Sequence, residues 1–205
     1  GIAGVSAAEH ARKTASDAEI HLYSKEPELP YYRLNLTRYL AAEIGNDSLP
    51  IHPQQWYDEQ HIHLHLGIEV AAINPNTHTL ELSGGQIESY NKLILACGAH
   101  PFIPPIPGAQ KSGVTAVRTR QDVDTLAAMI GNGTPCVCIG GGILGLEAAG
   151  ALAKRGASVT LLEGFGYLLP RQLNTDAARV LESHLASLGI VVKKKANTRE
   201  ISGED

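Results

Sequence analysis

The chain has 205 residues, 43% of them hydrophobic and 19% charged, a globular composition that argues against disorder. Seventeen Lys and Arg against 21 Asp and Glu leave a net charge of −4, which argues against a polyanion-binding surface and so against a nucleic-acid partner. No apolar stretch approaches the ~20 residues of a membrane-spanning helix, so no membrane partner is expected. The start, residues 1–8, lacks the basic opening and long apolar core of a secretion signal. Three cysteines, with Cys136 and Cys138 two apart, form neither a disulfide framework nor a zinc pattern, and the expected protein is cytoplasmic with reduced thiols. Glycine is the outlier: 21 residues, against a usual share of about 7%.

In chain order, the first glycines are Gly1 and Gly4, followed by an Ala-rich helix over 5–15 and a strand over 20–23. Taken alone, this is equally an ordinary small-residue helix start. Residues 61–66 alternate His61, His63 and His65 with apolar side chains, which puts three imidazoles on one face of a solvated strand. A metal site is the less favoured alternative, since the pattern implies no carboxylate or fourth ligand there. With 70–73, 79–82 and the Gly84-Gly85 turn, that strand reads as part of a small antiparallel meander. Residues 93–99 predict a further apolar strand, followed by a proline-rich connector to Gly108.

The second glycine cluster is complete. An apolar strand over 136–139 runs into Gly140-x-Gly142-x-x-Gly145, then an Ala/Leu-rich helix to about Arg155 with Gly156 as its cap. A second strand, 159–162, ends on Glu163. This is the βαβ dinucleotide fingerprint in full context. Gly140 allows the tight turn, Gly142 lets the backbone approach a pyrophosphate, and Gly145 lets helix and strand pack closely. Ile143 and Leu144 lie in the first turn of the helix, whose free N–H groups favour phosphate. Glu163 is placed to accept from a ribose 2′-hydroxyl and to repel a 2′-phosphate, so NAD(H) is preferred over NADP(H). Aligned on this unit, Gly1 and Gly4 take the places of Gly142 and Gly145, and the first strand would lie before residue 1. A capped amphipathic helix over 174–189 and a strand over 190–194 follow. The run Lys193-Lys194-Lys195 reads as a solvated strand end.

The segment L-I-L-A-C-G-A-H-P-F-I-P-P-I-P-G over 93–108, set between two nucleotide units, resembles the flavoprotein pyridine-nucleotide oxidoreductases with two dinucleotide-binding domains. There a similar run, with threonine where Cys97 stands, closes the first pass through the FAD domain. The stretch P-Y-Y-R-L-N-L-T-R over 30–38 is similar to a segment of rubredoxin reductases, ferredoxin reductases and the flavin domain of NADH-dependent nitrite reductases.

The resemblance implies an α/β fold of two Rossmann-like dinucleotide-binding domains, an FAD domain with an inserted NAD domain, both incomplete in this chain. The boundaries are 1–108 for the FAD-binding domain and 109–205 for the NAD-binding domain. It implies FAD and NAD as cofactors, with Gly1, Gly4, Glu26, Arg33, Val70, Cys97 and Gly98 at the FAD and Gly140, Gly142, Ile143, Leu144, Gly145 and Glu163 at the NAD. Arg38, where the family often has lysine, and Glu147 are the catalytic candidates, expected as an Arg38–Glu147 pair beneath the flavin–nicotinamide contact. The implied activity is hydride transfer from NADH to flavin N5, then electron transfer to an iron–sulfur or haem protein. An NADH oxidase using oxygen, or a nucleotide-binding fragment without turnover, stays open. Leu34 stands where related enzymes carry a single redox cysteine, and no Cys-x4-Cys lies near the first fingerprint, so no thiol step is expected.

Overall fold

The computed structural model describes residues 1–203. The elements are α1 (Ile2–Thr14), β1 (Ile20–Ser24), α2 (Leu36–Leu40), α3 (Gln54–Glu59), β2 (Ile62–Leu66), β3 (Val70–Asn74), β4 (Thr79–Leu82) and β5 (Ile87–Ser89). There follow α4 (Arg120–Met129), β6 (Pro135–Ile139), α5 (Ile143–Lys154), β7 (Ser158–Glu163), α6 (Thr175–Ser187) and β8 (Val191–Lys194). No helix among the described residues is long and apolar enough to cross a membrane.

The chain divides into two compact units. One comprises Gly1–Arg33 and Asp47–Ala99, the other Leu34–Asn46 and His100–Asp205. The boundary expected at 108/109 therefore falls inside the second unit, and α2 belongs to that unit despite its early place in the sequence. The reason is packing: α2 lies on α4 and α5, and its apolar Leu36 and Leu40 are buried.

In the first unit, β1 and β2 pair in parallel, Ile20 opposite Ile62 through Ser24 opposite Leu66. Alternation sends Ile20, Leu22, Ile62 and Leu64 to the face where Val5 and Ala8 of α1 and Tyr57 of α3 form the core. Each fully buried side chain of this size stabilises the unit by about 1.5–3 kcal/mol relative to exposure. The meander contains only β3, β4 and β5, all antiparallel. This corrects the sequence reading, which placed the histidine strand in the meander; register with β1 gives that strand a buried apolar face that a hairpin partner would not. His61 stands outside the strand at φ 51, and the imidazole that joins His63 and His65 is His21.

Residues 93–99 form no strand, a second correction. A strand requires a laddered neighbour, none is present for this segment among the described residues, and Ile94 and Leu95 are each 66% exposed.

In the second unit, β6, β7 and β8 form a parallel sheet in that order. Cys136, Cys138, Val159 and Leu161 share the face that packs on α5. Burial pushes the Cys138 thiol up to about 11 and raises Cys136 as well, so both behave as small apolar residues. Two helices start on the caps their sequences carry. Thr119 and Asp122 complete a capping box on α4, and Asn174 Oδ1 accepts from Ala177 N at 2.9 Å on α6.

Candidate functional site

The site of the second unit is the turn between β6 and α5. Gly140 adopts φ 108, a conformation that disfavours any side chain, and its N–H donates to Leu162 O at 2.8 Å, tying the turn to β7. Gly142 caps α5 with no side-chain hydrogen bond, and a Cβ there would meet nothing within 4 Å. The first helical bond runs from Leu146 N to Gly142 O at 2.9 Å, so α5 supplies no acceptor for the N–H groups of Ile143, Leu144 and Gly145. A Cβ on Gly145 would lie 1.9 Å from Gly140 O; only glycine lets the helix sit this close to the turn. An uncapped helix N-terminus, open space over Gly142 and aligned peptide dipoles together fit a pyrophosphate.

Glu163 closes the site from below. Although charged, it is only 6% exposed. Its Oε2 accepts from Gly141 N at 2.7 Å and its Oε1 from Phe165 N at 2.7 Å. A carboxylate offers about four acceptor positions, so two remain for hydroxyl donors. The middle glycine, Gly141, was not singled out from the fingerprint pattern, yet a Cβ there would lie 2.6 Å from Leu168 Cδ2 and 2.7 Å from Glu163 Oε2. The unbroken Gly140-Gly141-Gly142 run was its signal.

Helix α2 brings Thr37, Arg38 and Tyr39 to this unit. The expected Arg38–Glu147 pair does not form. Arg38 Nε lies 3.3 Å from Glu43 Oε2, while Glu147 Oε2 accepts from Thr37 Oγ1 at 3.2 Å. Adjacent residues on a helix point in different directions, and on α2 it is Thr37 that faces Glu147 of α5. Glu43 also takes Lys154 Nζ at 2.9 Å, and the Lys154 and Arg38 cations hold its carboxyl below the usual range. Tyr39 OH donates to Asp124 Oδ1 at 2.9 Å and Arg155 Nη1 to Leu40 O at 3.1 Å, fixing α2 on both neighbouring helices. Thr37 was missed because its partner lies 110 residues away in sequence.

The first unit repeats the pattern. Gly1 caps α1 without a side-chain bond, as Gly142 caps α5, and Gly4, three residues on, would place a Cβ 3.2 Å from Leu22 Cδ1 and 3.6 Å from Ala96 Cβ. Gly4 thus allows α1 to pack closely on β1 and Ala96, a milder requirement than the backbone clash that Gly145 avoids; next along the chain from Ala96, Cys97 is exposed and Gly98 has φ 71. Glu26, two residues past β1, accepts from Arg33 Nη2 and from Tyr31 OH at 2.5 Å, and Arg33 Nη1 donates to Tyr31 OH at 3.0 Å. Arg33 also lies 4.0 Å from a Cβ on Gly1. Glu26, Arg33 and Gly1 are therefore neighbours, with Tyr31 an additional member that the sequence reading passed over. Val70 opens β3 at a bulge opposite Leu82, apart from that cluster in sequence and sheet.

The profile of the pyridine nucleotide-disulphide oxidoreductase family matches residues 1–205. Among curated relatives, a nitrite reductase [NAD(P)H] of Bacillus subtilis is 36% identical over the whole chain, which spans 26% of that protein. A ferredoxin–NAD(P)(+) reductase of a Sphingomonas species is 34% identical over 95% of the chain and 47% of its own length. The crystal structure of a ferredoxin reductase from Rhodopseudomonas palustris superposes with a TM-score of 0.90 at 26% identity, covering 98% of this chain and half of that one. The parallel α/β units are those of this fold, and the chain belongs to the pyridine nucleotide-disulphide oxidoreductase family.

Proposed function

We propose that the chain forms the nucleotide-binding core of an FAD-dependent, NADH-preferring oxidoreductase of the cytoplasm that passes electrons to a protein acceptor, an iron–sulfur or haem protein. In this reading residues 1–108 serve FAD and 109–205 serve NAD. The observation that carries it is the uncapped N-terminus of α5, with open space over Gly142 and the buried Glu163 carboxylate bound to the same turn. The equivalent start of α1, with Glu26 and Arg33 beside Gly1, supports a second dinucleotide in the first unit.

Bound FAD and NADH would supply the hydride chemistry itself. The chain binds and orients. The N–H groups of Ile143, Leu144 and Gly145 receive the pyrophosphate of NADH, and the two free acceptor positions of Glu163 receive ribose hydroxyls. Glu26 takes the corresponding ribose of FAD, and Arg33 offers its guanidinium to phosphate. Glu147, held by Thr37, lines the nicotinamide end. Arg38 is the cation of the reaction centre, reached once it leaves Glu43; an exposed pair of this kind is worth at most about 1 kcal/mol, a small barrier to exchange. In this reading no thiol enters the redox chemistry: burial raises the thiol pKa of Cys136 and Cys138, and Cys97 is a free thiol that lies at the FAD without reacting. The relatives named as reductases of ferredoxin and of nitrite support a redox protein or centre as acceptor over free oxygen.

The test is spectroscopic. The purified protein, supplied with FAD, should show a flavin band that bleaches on anaerobic NADH addition and recovers faster with ferredoxin or rubredoxin than with oxygen. A protein that takes up neither nucleotide sinks the reading.

A further inference from the structure

The lysine run at 193–195 is not one uniform solvated patch. Lys193 stands opposite Leu162 in the β7–β8 ladder, Lys194 stands opposite Glu163, and Lys194 Nζ is paired with Glu182 of α6 at 2.8 Å. Lys195 differs from both. Its N–H donates to Phe165 O at 2.9 Å, and the next residue, Ala196, donates to Glu163 O at 2.9 Å. Segment 195–196 therefore runs alongside the loop 163–166 that leaves the carboxylate. The side chain follows the loop: Lys195 Cε lies 3.7 Å from the position of a Cβ on Gly166, where glycine leaves room for the aliphatic stem. Among the described residues Lys195 forms no ion pair. It also sits at φ 53, a left-handed conformation that favours glycine or asparagine over lysine. The backbone here would be better served by glycine, yet a cation stands at this position.

We propose that Lys195 is a specificity-determining residue at the adenosine-ribose end of the dinucleotide site, a cation that offsets the repulsion between Glu163 and a 2′-phosphate. The chain then takes NADPH as well as NADH, with a preference for NADH that is modest rather than absolute. The proposal rests on the reading of the α5 turn as the NAD site with Glu163 at the ribose. The chemistry is charge balance: one carboxylate alone excludes a phosphate from its neighbourhood, whereas a carboxylate with an unpaired ammonium at the edge of the same loop tolerates one.

Calorimetric titration of the whole chain with NAD⁺ and with NADP⁺ tests this without flavin turnover. Lys195→Gln and Lys195→Gly should each weaken NADP⁺ binding about fivefold, the upper end for one exposed charge contact, and leave NAD⁺ within about twofold. Lys195→Arg should retain NADP⁺ binding, since the charge is kept. The parent–variant difference should shrink at high salt. Lys195→Gly removes the backbone strain, so its melting temperature should equal or exceed the parent's, and a loss of NADP⁺ there does not come from unfolding. Equal weakening of both nucleotides, or no change in either, overturns the role of Lys195 while leaving the NAD site intact. Absence of NAD⁺ binding by the parent overturns both the role and the site.

Discussion

Two glycines three residues apart in the α5 turn should respond to the same alanine substitution in opposite ways. At Gly145, the added methyl would sit 1.9 Å from Gly140 O, a backbone atom that cannot rotate away. Restoring an ordinary contact requires the helix and the turn to separate by roughly 1.5 Å. Both are fixed: Gly140 N–H is bonded to β7, and α5 packs on β6 and β7. Overpacking of this type costs about 1–3 kcal/mol, and a backbone clash lies at the upper end. For a chain of this size each kcal/mol lowers Tm by roughly 2–4 °C, so Gly145→Ala should melt about 4–12 °C below the parent.

At Gly142 the methyl meets nothing within 4 Å, and φ −78, ψ 175 is open to any residue. Alanine loses some tenths of a kcal/mol as an N-cap relative to glycine and regains about 0.4–1 kcal/mol from the stiffer unfolded chain, so stability should stay within about 0.5 kcal/mol. The methyl instead occupies the space assigned to the pyrophosphate, and NAD⁺ affinity should fall about tenfold or more, a loss of at least ~1.4 kcal/mol. Thermal melts and calorimetric titrations on the two variants check both halves. A Gly142→Ala protein that binds NAD⁺ like the parent would refute the assignment of that space, and a Gly145→Ala protein with unchanged Tm would refute the packing role.

Arg38→Ala should slow flavin reduction by NADH while leaving NAD⁺ affinity nearly unchanged; equal reduction rates by stopped-flow absorbance would remove Arg38 from the reaction centre. Burial, together with the neighbouring His21 and His63, lowers the pKa of His65, with Glu88 opposing more weakly. A depressed imidazole pKa means that the unfolded chain binds the proton first. Stability from this group is therefore present above about pH 6.5 and is lost as pH falls below it. His65→Phe should flatten the dependence of the urea midpoint between pH 7 and 5, and an unchanged slope would exclude His65 as its source. Cys138, with its thiol raised to about 11, carries only about a thousandth of its population as thiolate at pH 8. Iodoacetamide followed by mass mapping should label exposed Cys97 and spare Cys138 in the folded protein, and early label on Cys138 would contradict its burial.

Much of the site was legible in the chain because its signals are local. Gly140, Gly142, Gly145 and Glu163 act within one βαβ unit of two strands, a turn and a helix, so spacing alone places them, and the same spacing located Gly1 and Gly4 at the start of α1. Cap chemistry is equally local: Asn174 begins α6 where the sequence predicts, and the Thr119–Asp122 box that begins α4 spans only four residues. Strand partners are not local. Alternating His63 and His65 specified a face but not a neighbour, and only pairing with β1 decided that the ladder is parallel and that His21 completes the imidazole row. Residues 93–99 have the apolar run of a strand, yet a strand exists only where another backbone accepts its hydrogen bonds.

Charged side chains depend most on the tertiary arrangement, because an ion pair is set by distances of a few ångströms between elements far apart in sequence. Arg38 and Glu147 were matched by family position, whereas the packing of α2 on α5 gives Glu147 to Thr37 and Arg38 to Glu43. Three consecutive lysines read alike in the sequence. The register of β8 beside β7 separates them, pairing Lys194 with Glu182 and setting Lys195 along the loop that follows Glu163. The sequence by itself determined the family, the turn and the acid at its base. Only the fold decided that the Thr37 hydroxyl stands beside the acid on α5 and that Lys195 follows the loop after Glu163, since those neighbours belong to segments that meet through sheet register and helix packing.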